Sequence, residues 1–505
     1  MPAASMKQQQ GFCFAGFDLG TSALKAVLVD DAQGIVAQSE VTLSVSRPRD
    51  LWSEQDPQIW WAALETAVAE LRAKNRKAWT QIRGVGLSGQ MHGAVLLDAE
   101  NVPLRPAILW NDGRAFAECR ELTLAVPDIG SLGGVDAMPG FLAPKLIWLR
   151  HHEPDVFAKM TRVMLPKDYL RLRMTGEFST DMSDAAGTLL LDVSHRSWSA
   201  RLLEAVKVTQ AQLPKLLEGS APSGSLAPSL ANAWGLSDGV VVAAGGGDAA
   251  CGAIGIGAVE EGQAFVSLGT SAQYVVVRDA HRPLSGTGIH AFCHALPSRW
   301  FQMAALLNGA SAAGWIARAL GRGDIDALMN ETEAGFRGPS NLIFLPYLQG
   351  ERTPHNDPKA KGVFFGLHPG ITATDLVQAV LEGVAFSVAD AQAALLAAGA
   401  DPELPSVIGG GARNRFWMKL LASVLGKPLA LRREGDKGPA FGAARLARLA
   451  FTGEALSEVC AAPPIESIIE PEPELTCAYA DRLSRYRSLY KALKSEFQQG
   501  SNPAS

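Results

Sequence analysis

A short pattern occurs twice in the chain, each time between two apolar runs: Asp18-Leu-Gly-Thr-Ser22 and Ser267-Leu-Gly-Thr-Ser271. The copies lie roughly 250 residues apart, and each reads as strand, tight turn, strand. A stacked solenoid needs three or more units, whereas two copies in 505 residues imply two related α/β halves that face one another. The first copy sits in a meander of three apolar runs, FCFAGF, LKAVLV and GIVAQSEV, separated by Asp-Leu-Gly and Asp-Ala-Gln-Gly turns. Asp56-Pro57 then starts a helix with Asp at the cap and Pro at the first helical position. Its Ile59, Trp60, Leu64, Ala67, Val68 and Leu71 have helical spacing. Thr372 and Asp375 have capping-box spacing and open a helix through Leu376, Val380, Val384 and Phe386 toward Gly399. A strand at Ser406–Ile408, three glycines and a helix carrying Phe416, Trp417, Leu420 and Leu421 follow.

Fifty residues are glycine, about 10% against a usual ~7%. Four sites share one design, a glycine turn directly after an apolar strand: 18–22, 245–248, 267–271 and 409–412. Such turns let backbone N–H groups approach an anion closely, and Thr and Ser add hydroxyl donors. Any one of them reads equally well as an ordinary hairpin. Two facing LGTS turns would hold a polyphosphate from both sides.

Several classes are excluded. Forty-six basic against 51 acidic residues leave a net charge of −5, so no basic field serves nucleic acid or a membrane surface. Six scattered cysteines without a CxxC pair are not a disulfide framework. Residues 239–259 have spanning length, but Asp248 near the centre and seven glycines argue against a membrane helix. The apolar stretch 11–17 is too short for a signal peptide. The expectation is a soluble cytoplasmic protein with frayed ends at about 1–10 and 496–505. No GxxxxGK[ST] occurs. A GxGxxG does occur at 84–89, but residues 90–97 read as a strand where the dinucleotide fingerprint needs a helix.

Asp248 sits where a strand at 240–242 hands over through three glycines to a helix start. It reads either as a helix N-cap or as a general base kept ionised by the helix N-terminus. Asp18 reads as a turn residue or as a carboxylate for hydrated Mg²⁺. Polar and aromatic residues collect at strand ends and loops: Gln90-Met-His-Gly93, Trp110-Asn-Asp-Gly-Arg114 and 345–354. Short hydrogen-bonding groups of this kind suit a polyhydroxylated ligand. Arg114 and Glu351 serve that ligand or form an ion pair with each other. His290, Cys293 and His294 lack a fourth ligand cluster, so zinc is not expected.

Together, DLGTS, LWSEQDP (51–57), GQMHGA (89–94), LRPAILWNDGR (104–114), LPKDYLRLRMTGEF (165–178), SDAAGT (183–188), GGGD (245–248), SLGTS, FCHALP (292–297), GERTPHN (350–356) and GGGAR (409–413) resemble the FGGY carbohydrate kinases. That family belongs to the actin/hexokinase/Hsp70 superfamily. The resemblance runs from about residue 12 to 450. LGTS turns are shared across the superfamily, whereas QMHG, WNDGR and GERTPHN are narrower and point to members acting on D-xylulose. The resemblance implies an α/β fold of two related ribonuclease H-like (actin/hexokinase-type) domains with an interdomain cleft. It implies an N-terminal domain over 11–257 with the sugar site, first phosphate loop and catalytic base. A C-terminal domain over 258–495 would carry the second phosphate loop and the adenosine site. The implied reaction is ATP-dependent phosphorylation of D-xylulose on its 5-hydroxyl. Asp248 would be the base, and Asp18 would serve activity and hold Mg²⁺ through water. Met91 and His92 would bind the sugar. Thr21, Ser22, Gly269, Thr270, Gly309, Gly410 and Asn414 would bind ATP. The resemblance also suggests a homodimer.

One position departs from the relatives, which usually carry an amide after the base to help grip the sugar. Here it is Ala249, which leaves D-xylulose or another ketose or polyol open as substrate. The rival from another class is a non-catalytic, nucleotide-switched binding protein on the same fold. Asp248 argues against it, because such a protein needs no base for a sugar hydroxyl.

Overall fold

The computed structural model describes residues 11–433 and 437–499. The expected frayed segments 1–10 and 500–505 lie outside the described residues, while 496–499 continue a helix, Pro473–Gln499.

The first half begins with β1 (Cys13–Leu19), β2 (Ala23–Asp30) and β3 (Ile35–Thr42), an antiparallel meander as the sequence predicts. Helix α1 (Pro57–Lys74) follows, capped by Asp56, whose carboxylate accepts the Gln58 N–H at 2.9 Å. Next come β4 (Ile82–Gly89), helix α2 (Pro166–Thr175), β5 (Pro222–Ser225), β6 (Val241–Ala243) and helix α3 (Asp248–Gly255). The sheet order is β5-β6-β4-β1-β2-β3, with β4 parallel to β1 and β6 parallel to β4.

The second half repeats this plan. It holds β7 (Ala264–Leu268), β8 (Ala272–Arg278), β9 (His290–Cys293) and β10 (Trp300–Leu306), then helices α4 (Ala310–Ala319) and α5 (Ala373–Ala397). After these come β11 (Ser406–Ile408), helix α6 (Arg415–Leu425), β12 (Leu429–Arg432), helix α7 (Gly438–Thr452), β13 (Ile465–Ile469) and helix α8 (Pro473–Gln499). The order is β9-β10-β8-β7-β11-β12-β13. The run β10-β8-β7-β11-β12 matches β3-β2-β1-β4-β6 strand for strand, with antiparallel meander and parallel fourth and fifth strands in the same places. The LGTS echo therefore marks two copies of one ribonuclease H-like topology.

Alternation along the strands explains what faces what. On β1, Ala15, Phe17 and Leu19 pack with Trp60, Leu64 and Leu71 of α1 and Leu170 of α2. Phe14, Gly16 and Asp18 point the other way, where Phe14 meets Phe441 and Ala444 of α7. A Cβ on Gly16 would lie 1.9 Å from the Ala440 carbonyl oxygen, and one on Gly86 1.9 Å from that of Ala443. Helix α7 therefore lies on the first sheet although its sequence belongs to the second half. Helix α3 reaches the other way: Cys251 and Ile254 share one apolar core with Phe265 of β7 and Val275 and Val277 of β8. The two helices cross where Gly442 meets the Cys251 carbonyl, with no room for a side chain at 1.9 Å. Each half's helix seals the space between the sheets.

Residues 239–259 form β6, the glycine turn and α3, so this segment does not span a membrane. Among the described residues one helix, α5, is long and apolar enough to cross a membrane by length and composition, and 89% of its most apolar 18-residue stretch is buried. Its capping box forms as the sequence predicts, with Thr372 N–H donating to Asp375 at 2.8 Å. After the GxGxxG of β4 the chain makes a turn and then strand Val95–Leu97, not a helix.

Candidate active site

Alternation aims Asp18 and Ser88 at the same side of the first sheet. The Ser88 hydroxyl donates to the Asp18 carboxylate at 2.8 Å. The base loop follows β6. Gly245 has φ +82° and lies so close to β4 that a Cβ would sit 2.1 Å from the Leu87 carbonyl oxygen. Gly246 and Gly247 pair in parallel with Ser88 and Gly89, which carries the chain alongside Asp18 before α3 begins. Asp248 is the first residue of α3 rather than its cap, which is Gly247. Its carboxylate accepts the Ala249 N–H at 2.7 Å.

The motifs LPKDYLRLRMTGEF and SDAAGT support this loop from below. Arg171 of α2 donates to the Ala244 carbonyl at 2.7 Å. The Gly247 N–H donates to Ser183 Oγ at 3.0 Å, and Ser183 donates to Asp181. Lys167 lies fully buried 2.6, 2.8 and 3.0 Å from Asp168, Asp181 and Asp184. Burial opposes its charge, but the three carboxylates outweigh burial and raise its pKa.

A cavity of about 130 Å³ opens in front of Asp248. Gly20, Thr21, Gln90, Met91, His92 and Trp110 line it from the first half. The second half adds Ser271, Gln273, His290, Met303 and Arg352. The Thr21 hydroxyl accepts from Trp110 Nε1 at 2.8 Å and donates to Gln90 at 2.9 Å. Gln90 donates on to Gln55 at 3.1 Å, and Gln55 donates back to the Thr21 carbonyl at 2.7 Å. Thr21 is thus tied into the wall beside Met91 and His92.

His92 holds φ +68°, an uncommon backbone state for a residue other than glycine. Its Nδ1 lies 2.6 Å from the Gly187 carbonyl, which can only accept, so Nδ1 carries the proton and Nε2 is an acceptor. Burial pushes its pKa well below the usual value; Gly187 opposes this and Arg352, His290 and Lys145 add to it, so the ring is neutral. Lys145, fully buried, donates to the His92 and Ile108 carbonyls at 2.9 and 3.2 Å and fixes this turn.

Burial, and then the charge of Asp18, push the Asp248 carboxyl up to about 7, while the Ala249 N–H and Arg352 pull it down. Burial likewise raises Asp18, against Ser88 and Lys25. Neither carboxylate belongs to an ion pair among the described residues. This local surplus of negative charge fits a hydrated divalent cation.

The remaining predicted residues gather beside the second turn. The Gly309 N–H donates to the Thr270 carbonyl at 3.1 Å, and Ala310 N–H to that of Gly269 at 2.7 Å. A Cβ on Gly309 would meet the Ser271 carbonyl oxygen at 2.5 Å. Gly409 sits against Leu268 and Gly269, whereas the space above Gly410 is open for 4 Å. Asn414 caps α6 by accepting the Trp417 N–H at 2.8 Å. Ser22 is exposed and outside the cavity wall; its carbonyl accepts from Leu43.

The alternative of an Arg114–Glu351 ion pair is overturned. Arg114 pairs with Glu54 and Asp112, each at 2.7 Å, and lies over Trp52 at 3.5 Å. Glu351 accepts instead from the N–H groups of Leu307 and Arg352, at 2.7 and 2.9 Å. No group of three or more His, Cys, Asp or Glu suited to a metal occurs among the described residues. Ala249 lies in the apolar core with Met91, Phe141 and Phe292.

Sequence reasoning missed Gln273 and Lys145, weighed His290 only as part of a zinc pattern, and named Arg352 only within the polar loop 345–354. For Gln273 a signal existed: it alternates with Val275 and Val277 on the face turned to the first half. For Lys145 the signal was a lone charge inside LAPKLIWL. Arg352 belongs to GERTPHN, but its loop could be placed over Trp110 only in three dimensions.

The N-terminal domain of the FGGY family of carbohydrate kinases matches residues 13–255, and the family's C-terminal domain matches 264–451. A xylulose kinase of Escherichia coli K12 is 46% identical over 95% of this chain and 99% of its own. One from Klebsiella pneumoniae is 45% identical over the same shares. The crystal structure of a xyloylose kinase from Brucella ovis superposes with a TM-score of 0.91 at 47% identity, covering 96% of this chain and 99% of that one. The doubled topology, the carboxylate facing a cavity shared by both halves and these matches over nearly the whole chain agree: the chain belongs to the FGGY family of carbohydrate kinases.

Proposed function

We propose that the chain phosphorylates D-xylulose on its 5-hydroxyl with ATP, giving D-xylulose 5-phosphate and ADP. One observation carries the mechanism: Asp248, its carboxyl near 7, faces a cavity built by both halves. A base with that pKa takes a proton near neutral pH and holds it without a strong ion-pair partner. The sugar oxygen forms a bond to the γ-phosphorus, the bond from that phosphorus to the ADP oxygen breaks, and the hydroxyl proton passes to the Asp248 carboxylate. His92 offers an acceptor at Nε2 to a sugar hydroxyl, and Gln90, Trp110 and Thr21 form the polar wall beside it. Asp18 would hold Mg²⁺ through water, and the ion, when bound, would neutralise charge on the transferring phosphoryl group. Gly269, Thr270, Gly309, Gly410 and Asn414 would seat the nucleotide beside the second turn.

We divide the halves at 257/258. Six cysteines without a disulfide agree with a cytoplasmic enzyme. The test is a panel of ketopentoses, ketohexoses and polyols with coupled detection of ADP. D-xylulose gives the highest kcat/KM; a higher value for ribulose or a sugar alcohol overturns the substrate. Asp248→Ala abolishes sugar-dependent ADP release, and intact release would overturn the base.

A further inference from the structure

His290 stands in the sequence as part of a His-x-x-x-His pattern, and the reaction described above leaves it without a task. It lies on β9 two residues from Phe292, so alternation points both rings to the same face, and Phe292 belongs to the core between the halves. The His290 ring stacks on Phe292 with centroids 5.2 Å apart and planes 3° apart. Phe141 approaches it edge-on at 5.7 Å. These two rings hold the imidazole in one orientation.

The residue is fully buried, yet neither ring nitrogen has a hydrogen-bond partner among the described residues. Buried polar groups are rarely left this way, and an orphaned one calls for a ligand or a function. His290 lines the cavity that holds Asp248 and His92. Burial, and then the Arg352 charge, push its pKa down to about 3, so the ring is neutral and offers one donor and one acceptor. Asp248 and His290 line the same cavity, Asp248 from the first half and His290 from the second. On β8 and β10 the cavity wall adds Ala272, Met303, Ala305 and Leu306, none of which carries a strong hydrogen-bonding side chain, and Gln273, which does.

We propose that His290 is a sugar-recognition residue, hydrogen-bonding through its neutral imidazole to a hydroxyl remote from the one that is phosphorylated. The inference rests on the reading of the cavity as the sugar site. His294, four residues on, is equally buried, but it packs against Phe301 and lies outside the cavity wall. It serves as the control.

The experiment compares wild type, His290→Phe, His290→Gln and His294→Phe in steady-state kinetics on D-xylulose and its monodeoxy analogues, with thermal unfolding alongside. His290→Phe keeps the ring shape and removes both nitrogens. Its KM for D-xylulose rises about tenfold with kcat within about threefold, because the lost bond is remote from the reacting oxygen. It also loses the wild-type discrimination against one monodeoxy analogue, a readout that a packing role would not move. His290→Gln recovers part of the loss, and His294→Phe keeps the wild-type KM. A folded His290→Phe protein with KM within twofold of wild type and unchanged discrimination overturns the proposal. Should that variant fail to fold, His290→Gln and His290→Leu are compared, and equal KM values overturn it. Wild-type protein inactive on D-xylulose fails the substrate reading instead, and the comparison then runs on whichever sugar of the panel is turned over.

Discussion

The two LGTS turns have the same fold and different chemistry. In register, Asp18 faces Lys25 across its hairpin, and at the matching places of the second hairpin Ser267 faces Gln273. All four lie on the sheet faces turned toward the other half. The first turn is charged and tied down: Asp18 to Ser88, Thr21 to Trp110 and Gln90. The second is neutral, its Thr270 is exposed, and its contacts run through backbone to Gly309 and Ala310. A duplicated unit thus became a charged wall on one side and a neutral cradle on the other. On the proposed reading, a turn that holds a polyphosphate has no use for a carboxylate, whereas the Asp18 charge raises the pKa of Asp248, the proposed base.

The sharpest break of this asymmetry is at the base. Asp248→Asn lowers kcat about a thousandfold, with the sugar KM within a few-fold, since a positioned base contributes roughly 10²–10⁴. The ADP assay reads it, and a loss under tenfold would sink the assignment.

Asp18→Ser makes the first turn a copy of the second. We expect kcat/KM to fall about a hundredfold, in the range of a lost electrostatic contact at the transferring phosphoryl group. This variant also shifts the pH profile. In wild type the base must be ionised, so kcat/KM declines as pH drops below about 7. Asp18 raises the Asp248 pKa, so its removal moves the acidic limb of the residual activity to lower pH. An unmoved limb would show that the two carboxylates do not communicate.

The reciprocal swap, Ser267→Asp, places a carboxylate beside the neutral cradle. The expected result is an ATP KM about tenfold higher with the sugar KM unchanged, from like-charge repulsion of roughly 1.4 kcal/mol. An unchanged ATP KM would separate the second turn from the nucleotide.

The smallest effect sharpens the difference in wiring. Thr21→Val removes an acceptor from Trp110 and a donor to Gln90, so it lowers the unfolding free energy by about 1–2 kcal/mol and raises the sugar KM several-fold. Thr270→Val leaves the unfolding midpoint in place. Equal midpoints for the two variants would contradict the hydrogen-bond network.

Much of this was legible in the chain. The echo predicted two related halves, and the meander, the α1 cap, the capping box of α5 and the strand at 406–408 all stand where periodicity and caps placed them. Local rules suffice for such features, because caps and alternation act over a few residues. Two readings turned on distance. Asp248 is the first residue of its helix because Gly247, paired in parallel with Gly89, already occupies the cap. Arg114 pairs with Glu54 and Asp112 rather than Glu351: Asp112 is two residues away, and the pairing of Glu54 with Ile108 brings its carboxylate close.

The sequence by itself determined the doubled topology and the kinds of group at each turn, because strand alternation and glycine turns are properties of short segments. Only the tertiary structure decided which groups share a cavity. Helix α7 lies on the sheet of the other half, and α3 joins the core of the second, so the wall facing Asp248 is assembled from both halves. Gln273, His290 and Arg352 enter the site through that packing, and no local pattern specifies a contact made across it.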